Sequence, residues 1–96
     1  MQVHNIRGTS DRNPKNGCKS WLDFWIKNKG YKPAFCCCEA CTEEENLVGA
    51  HVQESGSDTR DYWYILPLCR KHNNLHYTES FEVWNPNDLV RITDID

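Results

Sequence analysis

The feature that most constrains this chain is its cysteine usage. Six cysteines stand among 96 residues, and four of them fall in the stretch "CCCEAC", residues 36–41. A fifth opens "CRKH", residues 69–72. A chain of this length is one domain with a modest core, so a cross-link or a metal is a useful supplement. Apolar residues are 39% of the chain against 26% charged, which leaves the four Trp and four Tyr to supply much of the burial.

Disulfides are the first use to consider, and two features argue against them. The opening segment "MQVHNIRGTSDRNPKNG" contains no apolar leader, so a reducing, cytoplasmic setting is expected. Three consecutive cysteines also cannot readily each reach a separate partner within disulfide geometry. No apolar run approaches the roughly 18 residues of a membrane span, and no membrane role is expected.

Clustered thiols in a reducing compartment point to a metal. Zinc takes four soft or borderline ligands, usually as two short-spaced pairs that the fold brings together. Cys38-Glu-Ala-Cys41 is one such pair, and Cys69-Arg-Lys-His72 is the other. The i, i+3 spacing of the second pair places both side chains on one side of a helical turn. Cys38, Cys41, Cys69 and His72 are therefore the predicted zinc ligands. Cys37 or Cys36 in place of Cys38 remains an open register, and buried thiols acting as small hydrophobes are the plain alternative. Cys18 reads as an ordinary thiol. Three thiolates and an imidazole around Zn²⁺ carry a formal −1, taking the chain from −3 to −4, so the metal does not make it cationic.

Around these pairs the local signals are readable. "SWLDFWIKNKG" predicts a helix over 20–30, capped by Ser20, with Asp23 three residues on and Gly30 as the stop. Trp21 with Trp25 and Leu22 with Ile26 give it a broad apolar face for the core. "LVGAHV" and "YWYILPL" have strand composition and form a long-looped hairpin, and "CRKHNNLHY" continues as a short helix. "FEVW" and "LVRI" around "NPND" predict a second, C-terminal β-hairpin. Residues 1–17 read as a polar arm of short strand, loop and turns. The expected architecture is α+β: one small treble-clef zinc domain over 1–96, with knuckle, hairpin and helix spanning 36–76.

The string "CEAC…LVGAHV…YILPLCRKHNN" resembles the zinc-containing branch of the HNH endonucleases, in which a ββα-metal unit sits on a treble clef. The resemblance covers roughly residues 36–76. It implies that His51 is the general base that activates a water. It implies that Asn73, or His76 one turn later, holds a Mg²⁺ or Mn²⁺ ion at the phosphate. The sequence departs from that pattern at two places. The family's asparagine ahead of the second ligand pair is missing from Trp63-Tyr64-Ile65, and Ala50 stands where an acidic or histidine ligand precedes the base. A general base needs an orienting partner, and a hard cation needs oxygen ligands. The expectation is accordingly a zinc-stabilised module with a decayed nuclease site, binding nucleic acid or a protein partner. An active DNA endonuclease and a purely structural interaction subunit are the alternatives.

Charge is unevenly spread. Residues 1–33 hold seven basic and two acidic groups, whereas residues 34–96 hold four basic and twelve acidic ones. The basic N-terminal third, with Arg7, Arg12 and Lys15, is the expected contact for nucleic-acid phosphate.

Overall fold

The computed structural model describes residues 2–6, 18–39, 41–55, 63–73 and 80–92. It contains strands β1 (Gln2–Asn5), β2 (Val48–Glu54), β3 (Trp63–Leu68), β4 (Phe81–Glu82) and β5 (Val90–Ile92), and one α-helix, α1 (Trp21–Lys29). The strands form a single antiparallel sheet in the order β4-β1-β2-β3-β5. No helix among the described residues is long and apolar enough to cross a membrane.

The helix begins and ends on local chemistry. The Ser20 hydroxyl accepts the Asp23 backbone N–H at 3.1 Å, satisfying an otherwise orphaned first-turn donor. Gly30 takes the left-handed conformation at φ 83° and donates its N–H to the Ile26 carbonyl, which closes the last turn. Asp23 in the first turn and Lys27 and Lys29 in the last complement the helix dipole.

The sheet buries both faces. On one, α1 lays Trp25 against Ile65, Val90 and Ile92, with Trp21, Phe24, Ile26 and Trp63 packed around them. The approach is close because Gly49 has no side chain. A Cβ built there would stand 2.4 Å from the Leu22 backbone nitrogen and 2.5 Å from the Trp21 carbonyl carbon. On the other face, Val3, Ala50, Val52, Leu66 and Leu68 join Phe81, Val83 and four of the cysteines in the larger core cluster. This division follows strand alternation: Ile65 goes one way, Leu66 and Leu68 the other.

The hairpin of "LVGAHV" and "YWYILPL" forms as β2 and β3, with Val48 opposite Leu68 and His51 opposite Ile65. The C-terminal hairpin does not form. β4 pairs with β1 and β5 with β3, at opposite edges of the sheet. "NPND" is the reason. Asn85 caps a 3-10 turn over Pro86–Asp88, accepting the Asn87 N–H on its side chain, and the turn carries the chain across the sheet end instead of reversing it. The preceding residues are meanwhile taken up by the cysteine stretch, since Val83 bridges Cys38 and the Trp84 N–H donates to the Cys37 carbonyl.

Of the N-terminal arm, residues 2–5 form β1, while Arg7, Arg12 and Lys15 lie outside the described residues. The helix expected after Cys69 is described only through Asn73, as a turn.

Candidate metal centre

Three short segments build the site. The first is the cysteine stretch, which runs extended alongside the end of β3: the Cys37 N–H donates to the Pro67 carbonyl at 2.9 Å and the Cys36 N–H to the Glu43 carbonyl at 2.8 Å. The second is the turn that follows, in which the Cys41 N–H reaches back to the Cys38 carbonyl at 3.0 Å. The third is the turn after β3, where the His72 and Asn73 N–H groups both donate to the Cys69 carbonyl, at 3.1 and 2.9 Å. Asn5 on β1 ties that turn down, giving its side-chain N–H to the His72 carbonyl at 2.7 Å.

These segments bring the sulfurs of Cys36, Cys41 and Cys69 and a ring nitrogen of His72 within 4.8 Å of one another. Cys41 and Cys69 are 3.9 Å apart, and His72 Nδ1 lies 3.2 Å from the Cys69 sulfur and 3.6 Å from that of Cys36. A tetrahedron with Zn–S of about 2.3 Å and Zn–N of about 2.0–2.1 Å has S···S edges of about 3.8 Å and S···N edges of about 3.6 Å. The spacing fits a metal ion of that size. All six cysteines are free thiols, so none of the donors is spent on a disulfide.

The geometry gathers Cys36, and not the expected Cys38, with Cys41, Cys69 and His72. Cys38 is buried and held in its bridge to Val83, with its sulfur 3.8 Å from the Glu39 carbonyl. The clustered cysteines at this end, Cys36 and Cys41, are separated by four intervening residues rather than two. The pairing of the extended stretch with Pro67 and Val83 decides it. The Cys36 register stands in the sequence only as one alternative, and nothing there points to Asn5.

The electrostatics of the four donors are uneven. Burial raises the Cys36 thiol well above its ordinary value. Burial acts the same way on Cys69, but there it is outweighed. The His72 and Lys71 backbone N–H groups and the Cys36 and Cys41 thiols hydrogen-bond that sulfur and hold it below its ordinary value. A sulfur surrounded by turn N–H donors is prepared to be a thiolate ligand. Burial, with the charge of Lys71 behind it, lowers His72 and favours the neutral imidazole that a metal requires. Cys37 and Cys38, outside the group, are pushed up by burial to about 12 and about 11. One side of the group opens on a surface cavity of about 580 Å³, lined in part by Glu39, Glu43, Glu45, Arg70 and Lys71.

Of the residues that the endonuclease resemblance implied, His51 and Asn73 fall among the described residues. His51 is 7% exposed and lies on the helix side of the sheet, opposite the cysteines. Its ring meets Trp21 edge-on at 4.7 Å and Trp63 at 5.4 Å. Asn73 is exposed at the end of the Cys69 turn. His76 lies outside the described residues. Ala50 and Tyr64, which stand where that family keeps working groups, pack in or against the larger core cluster.

No protein-family model, no curated protein and no solved structure matches this chain.

Proposed function

We propose that the chain is a zinc-stabilised binding module, in which Cys36, Cys41, Cys69 and His72 hold one structural Zn²⁺ and the surface around it receives nucleic acid or a protein partner. The observation that carries this reading is the convergence of three sulfurs and one imidazole nitrogen at tetrahedral spacing. Four protein donors fill a zinc coordination sphere, which is the arrangement of structural rather than catalytic sites. The order of knuckle, hairpin and second ligand pair supports a treble-clef frame like that of the zinc-containing HNH proteins. The burial of His51 between two tryptophans supports a frame without the nuclease chemistry, since a general base has to reach a water at the substrate.

The test is metal analysis with folding. One zinc per chain is expected, with loss of zinc and of near-ultraviolet circular dichroism in Cys41→Ser and Cys69→Ser. A chelated, metal-free protein that melts as cooperatively as the untreated one would overturn the reading. Plasmid DNA should stay intact with the protein in Mg²⁺ or Mn²⁺. Cleavage that disappears in His51→Ala would replace the module with an enzyme.

A further inference from the structure

Among the described residues, the large apolar side chains left exposed are Tyr31 (55%), Phe35 (37%) and Trp84 (44%). They are not scattered. All three line a single cavity of about 280 Å³, together with Trp25 and Asp88. That volume lies just below the range of about 300–1,000 Å³ typical of small-molecule sites, and it suits the tip of a side chain better than a nucleotide.

The rings stand in two perpendicular corners, Trp25 with Tyr31 at 5.6 Å and 86°, and Phe35 with Trp84 at 6.0 Å and 78°. Trp25 is buried behind the cavity, and the exposed rings of Tyr31, Phe35 and Trp84 are the ones that can turn a π-face, the negative part of the ring quadrupole, to a further group. The indole N–H donors are already spent inside the fold. Trp25 gives its own to the Asp88 carbonyl at 2.6 Å, and Trp84 gives its own to the Cys41 carbonyl at 3.1 Å. The cavity thus offers ring faces rather than indole donors, which disfavours an anion. Asp88 is the formally charged residue in its lining, which it shares with Cys37. Aromatic faces with one carboxylate select a cation of low hydration. An unmodified lysine ammonium is strongly hydrated and loses that water on entry, whereas methyl groups spread the charge and present apolar surface.

We propose that this cavity binds the trimethylammonium tip of a methylated lysine carried by a basic peptide. Charge complementarity favours a peptide source, because Asp88 lines the cavity and residues 34–96, which supply Phe35, Trp84 and Asp88 to it, carry an excess of eight acidic groups. The inference deepens the reading of the chain as a zinc-held binding module and rests on it.

The experiment titrates the full-length, zinc-loaded, ¹⁵N-labelled protein with three lysine-rich peptides. One carries a trimethyllysine, one the unmodified lysine, and one a neutral tert-butyl isostere of the same shape. The indole N–H signals of Trp25 and Trp84 should move with the methylated peptide, while those of Trp21 and Trp63, packed on His51, stay in place. Both control peptides should bind weaker by about tenfold or more, as expected when cation–π attraction supplies the selectivity. Tyr31→Ala, at an exposed ring, should weaken binding by a similar factor with zinc content unchanged, and Asp88→Asn should do so in part. Equal affinity for the neutral isostere would overturn the proposal in favour of an apolar slot for a residue such as proline. Absence of any Trp25 or Trp84 shift at millimolar peptide would also overturn it. Zinc measured on the same samples keeps the two readings apart. A protein that holds zinc and ignores the peptide sinks the cavity proposal alone, and one that holds no zinc sinks the module.

Discussion

Cys36 and Cys38 are two residues apart and both buried, yet their sulfurs have different surroundings. The first faces His72 Nδ1 across 3.6 Å, and the second sits in the bridge to Val83. Cys36→Ser should therefore weaken zinc binding by orders of magnitude, because it replaces a soft ligand with a hydroxyl. Cys38→Ser should retain zinc and lose about 1–3 kcal/mol of stability, the penalty for burying a hydroxyl that has no dedicated partner. A chelator competition and a urea titration on the two variants would check the pair, and equal zinc loss in both would refute the assignment. Composition and spacing identified the cysteine cluster and its second half, Cys69 with His72. The register at the first half was not legible, because it depends on the pairing of residues 36–38 with Pro67 and Val83, which are distant in sequence. The position of His51 was legible as a hairpin histidine. Which face of the sheet it occupies required the contact with α1.

At the scale of elements, the local signals were strongest where the deciding chemistry is itself local. Ser20, Asp23 and Gly30 delimit α1 without reference to any other part of the chain, and the apolar runs of β2 and β3 pair directly. The supposed C-terminal hairpin failed for the opposite reason, since each of its strands finds a better partner elsewhere. The junction between helix and sheet makes its own prediction. Gly49→Ala would place a methyl inside the backbone of Leu22, so α1 has to move away from β2. The expected loss is about 1–3 kcal/mol of stability, as for other overpacked contacts, with zinc stoichiometry unchanged. Denaturant unfolding checks this, and a neutral effect would mean that the helix packs more loosely than described.

At the scale of the whole molecule, the proposed metal ties together parts that are far apart in sequence. Asn5 holds the His72 turn and Trp84 holds the Cys41 carbonyl, so the knuckle, the end of β3, the N-terminal strand and the C-terminal segment meet at one place. Zinc binding on the order of 10 kcal/mol would rival the whole stability of a small domain. Its proton linkage has a definite sign. Burial raises the Cys36 thiol, so in the metal-free protein at neutral pH that sulfur carries a proton that zinc must displace. Loading should release protons, and apparent zinc affinity should rise as pH rises and fall as pH falls. Calorimetry at one pH in buffers of different ionisation enthalpy measures the release directly. A heat that does not depend on the buffer would contradict thiol ligation.

The sheet order also has a consequence for synthesis on the ribosome. β1 is made first, yet it lies between β2 and β4, and β4 begins only at Phe81. The whole Cys/His group has been translated by residue 72, so the proposed metal site and the β2–β3 pair are complete in sequence while one edge of β1 still waits for its neighbour. During that interval the backbone groups on that side of Gln2–Asn5 are open to strands of other nascent chains. An early-captured metal would shorten the search by holding β1, through Asn5 and the His72 turn, where the last-made strands will find it.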